Sequence, residues 1–526
     1  MRGFCNGKQA LLAGALICLP LAAFAGTWQP LKNPPNFPAI GSLGPGGAGT
    51  PILMTDGTVI MQNNGYGSAD GTAFRLTPDS SGSYVNGTWS QIASLPYAPI
   101  GAAEAVLPDG RVLVEGGEYS GPGYNFLLTN QGAIYDPVAD AWTVVQPPKF
   151  FVDLYPPRRK FAPHPIGDSA SVVLPNGTFM LADKMSRQAA LFNAKTLTWE
   201  QVGQATKSDL NDEEGWTLLP NGQVLTVDCY TDYYFGLIKG YPANPTNSEI
   251  YNPATFKWSS AGSTINTLTD PVLSEMGSAI LRPDGTVFAT GSQGYTSIYN
   301  THSSTWSAGP RLPISPQGYP YTMQDAPGAL LPTGNVLIAA SGGAPNPPPG
   351  GYSNPPVAFF EFDGAQLIAE PTIPDAANDQ SGSINMLVLP TGQILETDGT
   401  GDIEIYTPSS LTHDSAWEPI IKSAPSVVVP GHSYRIGGIR FNGMSQASAF
   451  GDEDQNATNY PLVRITNTQT KHVFYARTHD HSSMAVASPS VVSTTMDIPA
   501  KIETGASTMV VVANGIASAA VDLEVK

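Results

Sequence analysis

An apolar run that meets a tight turn, then a glycine, then a second apolar run occurs seven times in this chain. The copies are Met54-Thr55-Asp56-Gly57, Leu107-Pro108-Asp109-Gly110, Leu174-Pro175-Asn176-Gly177, Leu219-Pro220-Asn221-Gly222, Arg282-Pro283-Asp284-Gly285, Leu331-Pro332-Thr333-Gly334 and Leu389-Pro390-Thr391-Gly392. A recurring unit of this kind constrains the architecture more than any other feature. Each copy is expected to be a β-hairpin, with Asp-Gly or Asn-Gly supplying the positive φ angles of a two-residue turn and flanking Val, Ile, Leu and Ala filling the sheet. The glycines at 57, 110, 177, 222, 285, 334 and 392 are too unevenly spaced for a solenoid and suit propeller blades with loops of varying length. With 54 Gly, 48 Pro and only 13% charged residues, the chain has many turns and little support for long helices.

Most copies continue into a strand that ends in tryptophan: Trp142 after Ile134-Tyr135, Trp199 after Leu191-Phe192, Trp258 after Ile250-Tyr251, Trp306 after Ile298-Tyr299, and Trp89 in a degenerate form. A side chain of this size is expected to wedge between neighbouring blades. The sixth copy offers Phe359, Phe360 and Phe362 instead, and Gly116-Gly117 and Gly342-Gly343 complete a kelch pattern in two copies. Near the start, Gly26-Thr27-Trp28-Gln29 matches the outer strand without its preceding hairpin. It is expected to join the seventh blade and close the ring, which removes exposed sheet edges.

Residues 1–25 read as a secretory signal peptide, with Arg2 and Lys8, an apolar stretch from Ala10 to Phe24, and Ala23-Phe24-Ala25 before the cut. The mature protein is therefore expected to be secreted or periplasmic. No other apolar run approaches a membrane span. A net charge of −18 argues against nucleic acid as a partner, because phosphate binding calls for the opposite sign. Two of the three cysteines lie in the leader, so Cys229 is left alone without an intrachain disulfide. The mature protein is expected to act as a monomer.

After Trp417 the repeat stops and short alternating strands follow, among them Ser426-Val427-Val428-Val429, Leu462-Val463-Arg464-Ile465, Val473-Phe474-Tyr475-Ala476 and Met509-Val510-Val511-Val512. They suggest an immunoglobulin-like sandwich. The fold class expected is all-β: residues 26–422 as a seven-bladed kelch-type β-propeller and residues 423–526 as an early-set β-sandwich.

A leader, a seven-bladed kelch propeller and a terminal sandwich carrying Thr478-His479 and the hairpin Val511-Val512-Ala513-Asn514-Gly515-Ile516 resemble the galactose oxidase and glyoxal oxidase family. The resemblance implies one copper held by two tyrosines and two histidines, with one tyrosine cross-linked to a cysteine. This sequence departs from that pattern. The matching stations are Gly101, Asp168 and Gly382-Ser383, and Cys229 lies out of register, so copper-radical oxidase chemistry is not expected. A copper oxidase with rearranged ligands remains an alternative.

Carboxylates occupy the vacated register: Asp168, Glu213, Glu275 and Asp325 each stand at the start of an inner strand in four consecutive blades. Same-register residues approach one another around a propeller channel, where like charges raise one another's pKa unless a positive partner intervenes. A metal, a basic side chain or a cationic ligand would serve. The resemblance implies that the sandwich sends its histidine loop into the channel, bringing His479 and His481 to the ring as further metal ligands. A solvated rim, one divalent metal in the channel and direct ligand contacts all stay open, and the cofactor is unassigned. Aromatic loops on the same face, with Tyr119, Tyr230, Tyr233 and Tyr234, suit a carbohydrate or similar small polar ligand. A metal-dependent, non-radical enzyme is the alternative. The acidic loop Asp452-Glu453-Asp454 lacks EF-hand spacing and the basic run Arg158-Arg159-Lys160 reads as a solvated loop.

Overall fold

The computed structural model describes residues 25–40, 44–65, 68–121, 123, 126–152, 162–202, 206–229, 246–269, 273–344 and 353–526. The leader up to residue 24, the basic run Arg158-Arg159-Lys160, and Tyr230, Tyr233 and Tyr234 lie outside the described residues. What is described is almost wholly strand and turn. It forms a seven-bladed propeller of four-stranded antiparallel sheets, followed from Ile420 by a further set of strands.

The third blade shows the pattern: Ser171–Val173, Phe179–Ala182, Ala189–Asn193 and Thr198–Val202 pair in chain order from the channel outward. Its turn, and those of the other blades, differ from the expected two-residue type. Gly110 N–H donates to Leu107 O at 2.9 Å and Leu107 N–H to Arg111 O at 2.8 Å, so the loop has three residues. Among the seven turns only the glycine is left-handed, with φ between 77° and 85°. This is a type I turn closed by a glycine bulge, in which Pro suits the second position. Asp and Asn recur for a different reason than φ. Their Oδ1 accepts from the backbone N–H two residues on, as in Asp56 to Thr58 at 3.0 Å, Asn176 to Thr178 at 3.0 Å and Asp284 to Thr286 at 2.9 Å.

The tryptophans join blades as expected. Four of them pack on the aromatic ring opposite in the same blade, among them Trp142 on Tyr135 and Trp199 on Phe192 at 5.0 and 4.8 Å between centroids, whereas Trp89 stands opposite Leu76. The indole N–H then reaches the preceding blade: Trp142 to Ala93 O, Trp199 to Gln146 O and Trp306 to Ser248 Oγ, all at 2.8 to 2.9 Å. The strand Thr27–Pro30 adds to Ile403–Thr407 with Trp28 opposite Tyr406. Trp28 also donates to Pro371 O at 2.7 Å, so the first described strand ties blade seven to blade six and closes the ring.

From Ile420 the strands build two sheets that share one strand. Val473–His479 pairs with Leu462–Asn467 through its first half and with Val491–Asp497 through its last. Val428, Ile436, Phe441, Val463 and Met496 fill the space between them. This unit docks on the turn end of the propeller: Thr478 N–H donates to Thr55 O at 3.2 Å, His481 N–H to Pro108 O at 3.0 Å and Met484 N–H to Pro175 O at 2.9 Å.

One excursion of the C-terminal unit runs through the channel. Asn442 Nδ2 donates to Asn459 O at 2.9 Å and closes its base. Between them, Ser448–Ala449 pairs with the inner strand of blade six, at Ala329 and Gly328. Gln446 Oε1 accepts from Leu218 N–H of blade four, Gln455 Oε1 from Ser171 Oγ of blade three, and Asn456 Nδ2 donates to Met386 O of blade seven. Asp454 N–H ends the series on Ala102 O of blade two. The finger thus emerges at the mouth opposite the turns.

Two outcomes follow from the closure of blade seven. Trp28→Ala removes contacts to Phe359 and Tyr406 and the bond to Pro371, and should lower unfolding free energy by about 3 kcal/mol in urea titrations. In the same blade Glu396 and Glu404 face each other across neighbouring strands. Burial, opposed by the Glu396 hydrogen bond and reinforced by Asp398, Asp402 and Asp375, pushes Glu404 up to about 7. A folded-state value raised above that of the unfolded chain gives stability that is complete at acid pH and is lost as pH rises through about 7. Thermal midpoints should therefore fall from about pH 5 to about pH 8, and Glu404→Gln should flatten part of that decline.

Candidate functional site

The inner strands start at the mouth where the finger tip emerges, and the structure brings Asp168, Glu213, Glu275 and Asp325 to that end. They divide into two groups. Lys184, directly after the second strand of blade three, is 2% exposed at its side chain and reaches Asp168 at 2.6 Å, Asp212 at 2.9 Å, Glu213 at 2.9 Å and Asp452 at 3.4 Å. Burial opposes its charge, but these carboxylates outweigh burial and hold the ammonium well above its usual pKa. The positive partner of this half of the ring is therefore a basic side chain. A neighbouring buried cation, Lys207, does the same within blade four for Asp209, Glu214 and Glu249 at 2.8, 2.7 and 3.2 Å.

Glu275 and Asp325 form the other half and line an open cavity of about 420 Å³ together with Glu118, Tyr119, Glu453 and Asp398. Burial, with Asp325 and Glu213 adding to it, pushes Glu275 well above the usual carboxylate range. Burial and the nearby Asp168 carboxylate push Glu118 up to about 8. The lining adds amides, Asn64, Gln324, Gln380 and Asn385, and holds no Lys or Arg among the described residues. The mouth is thus a polar, acidic bowl in which burial favours the protonated forms of Glu118 and Glu275. It presents hydroxyl donors as well as acceptors.

Glu118 and Tyr119 are placed there by an element that the sequence reading treated as loop. Tyr119–Ser120 pairs on one side with Phe126–Leu127 and on the other with Pro99–Ile100, forming a small three-stranded sheet above blade two. Glu118 N–H donates to Gly101 O at 2.8 Å and its carbonyl accepts from Leu128 N–H at 2.6 Å, so the backbone carrying this carboxylate is fixed at both groups. The Gly-Pro-Gly at 121–123, flanked by Tyr-Ser and Phe-Leu, is the signal that would have revealed this hairpin.

The two histidines are a correction. His479 and His481 do not meet the ring, because their loop docks on the turns of blades two and three at the opposite end of the inner strands. His479 lies between Asp480 and Asp497, at 2.9 and 3.1 Å. His481 is buried, bonds Thr494 Oγ1 at 2.9 Å, and is pushed down to about 3 by burial and by His479, which leaves it neutral. The loop that does reach the ring is Asp452-Glu453-Asp454, with Asp452 on Lys184 and Asp454 accepting from Thr50 Oγ1 at 2.7 Å. A cleft of about 780 Å³ beside Asp480 and His481 is the groove between the C-terminal unit and the turns, lined by surface groups such as Lys195 and Glu200. Cys229 is buried among Val227, Leu268, Met276 and Ala289, and burial pushes its thiol up. It packs as a small apolar group. The donor set of a copper-radical centre is not matched at Gly101, Asp168 or Gly382-Ser383.

No family model and no curated protein sequence matches the chain. Among solved structures it is similar to a novel fungal alcohol oxidase of the AA5 family in complex with copper, at 12% identity and a TM-score of 0.47, covering 95% of this chain and 100% of that one. It is also similar to a catalytically inactive virginiamycin B lyase from Staphylococcus aureus with quinupristin, at 9% identity and a TM-score of 0.44, covering 73% of this chain and 99% of the other. At such identities a likeness concerns the fold alone.

Removing the buried ammonium tests the electrostatics of the ring. Lys184→Met leaves Asp168, Asp212, Glu213 and Asp452 uncompensated and should cost about 3–5 kcal/mol of unfolding free energy at neutral pH. The loss should shrink at acid pH, because burial raises Glu213 and Asp452 above the usual carboxylate range and favours their protonated forms, and urea titrations at neutral and acid pH measure the difference.

Proposed function

We propose that this propeller protein is exported and binds a carbohydrate or similar small polyhydroxylated ligand in the bowl at the channel mouth. One observation carries the reading: an open cavity of about 420 Å³ whose wall combines carboxyls, side-chain amides and Tyr119. Pockets of this size suit small ligands. Sugar hydroxyls both donate and accept, which matches carboxylates that accept beside carboxyls whose burial keeps the proton on. Tyr119 offers an aromatic wall for the apolar face of a ring. Glu275 and Asp325, one from each of two neighbouring blades, would meet the ligand. Tyr230, Tyr233 and Tyr234 are offered by the sequence as further aromatic contacts for such a ligand.

A metal-dependent enzyme that combines the ring with His479 and His481 is not supported, because those imidazoles stand at the turn end and already bond Asp480, Asp497 and Thr494.

Calorimetric titration of the mature protein with a panel of neutral mono- and oligosaccharides tests the proposal. Saturable binding is expected, weakened at least tenfold, or about 1.4 kcal/mol, in Asp325→Ala. Binding of amine cations with no response to any neutral sugar would replace this reading with one of simple charge recognition.

A further inference from the structure

Glu118, Asp168 and Glu453 come from three separate segments: the small sheet above blade two, the entry to blade three, and the finger tip. One carboxylate oxygen from each lies within 4.8 Å of the other two. Proximity of acidic groups alone would define nothing. Asp168, however, is 5% exposed and uses Oδ2 for Lys184, while its Oδ1 is buried with no partner. Glu453 Oε2 is likewise enclosed without a partner. Space for that carboxylate is made by Gly101, which has φ 60° and whose Cβ, were there one, would collide with it. Buried carboxylate oxygens without a donor are costly, and such groups normally have a partner in the functional state.

We propose that Glu118, Asp168 and Glu453 form a binding site for one divalent hard cation, Ca²⁺ by the donor set. Three protein carboxylates suit Ca²⁺, which takes many oxygen ligands in flexible geometry, better than Mg²⁺, which keeps several waters and is held by one or two carboxylates. The donors are all oxygen, with no imidazole or thiolate among the three, which favours calcium over zinc or copper. Lys184 leaves Asp168 an oxygen to give, and Glu453 ties the ion to the C-terminal unit. Bound there, the cation fastens the finger to blades two and three. Glu118 and Glu453 also line the bowl, so the open side of the coordination shell faces the ligand cavity. The inference does not rest on the carbohydrate reading, since the ion needs only the three carboxylates.

The test uses the mature protein after chelation, titrated with CaCl₂ alone, with no sugar present. Uptake of one equivalent and a rise in the thermal midpoint with Ca²⁺ concentration are expected. Glu118→Gln and Glu453→Gln should each weaken uptake at least tenfold while the calcium-free proteins keep the near-UV circular dichroism of the parent. Should Glu453→Gln fail to fold, Glu118→Gln decides alone, because its side chain stands on the propeller rim. No calcium uptake, tighter binding of Mg²⁺ than of Ca²⁺, or undiminished uptake in Glu118→Gln would each overturn the site.

Discussion

The innermost strand of each blade has one paired edge and one edge facing the channel, and those inward backbone groups must find partners. The finger from the C-terminal unit supplies them. Ala447 O accepts from Leu330 N–H, Gln446 from Leu218 N–H, and Asp454 N–H donates to Ala102 O. Because each bond reaches a different blade, the finger sets the position of the blades about one axis. Its length delivers the acidic tip to the far mouth, and the ring of carboxylates would have a different composition without it.

Filling the channel in this way has an electrostatic consequence. Asp452, Glu453 and Asp454 arrive where Asp168, Glu213, Glu275 and Asp325 already converge, and burial penalises every charge among them. Lys184 resolves half of the conflict with one ammonium shared by four carboxylates. Its neighbour in blade four follows the same logic, and the two networks meet at consecutive residues: Glu213 turns to Lys184 and Glu214 to Lys207. Glu213 adopts φ 59°, a left-handed backbone that lets adjacent side chains diverge in this way. The half of the ring without a lysine is the half that opens into the bowl. Charge neutralisation therefore separates a lysine-bridged side of the mouth from a side open to the cavity.

The features legible in the sequence were those set by local geometry. A glycine that must be left-handed in every turn, a tryptophan opposite an aromatic in most outer strands, and a stray Trp28 strand all mark blades, because each residue type is the cheapest answer to a local requirement. The carboxylate register was legible for a related reason: equal offsets from the turn glycine place residues at equal heights along the channel. Lys184 was not, since nothing in Asp183-Lys184-Met185 distinguishes a lysine buried among four acids from one in solvent. The choice of finger was not legible either. Thr478-His479-Asp480-His481 and Asp452-Glu453-Asp454 are both polar loops of the same unit, and which one enters the channel is decided by how that unit docks on Thr55, Pro108 and Pro175.

That docking is also why ligand binding is proposed at the carboxylate mouth and not at the turn end. The C-terminal unit sits on the turns of blades one to three and spends its histidines there on Thr494, Asp480 and Asp497. At the other end the connection between the second and third strands of blade two folds into the sheet that holds Glu118 and Tyr119. Loops carried on a rigid scaffold are where binding residues concentrate. The same finger that seals the channel forms the floor of the bowl, so the proposed ligand binding and attachment of the C-terminal unit draw on a common set of carboxylates. Any ion or molecule bound by Glu453 therefore acts on domain attachment as well as on the site, since a group that binds only the assembled state stabilises that assembly.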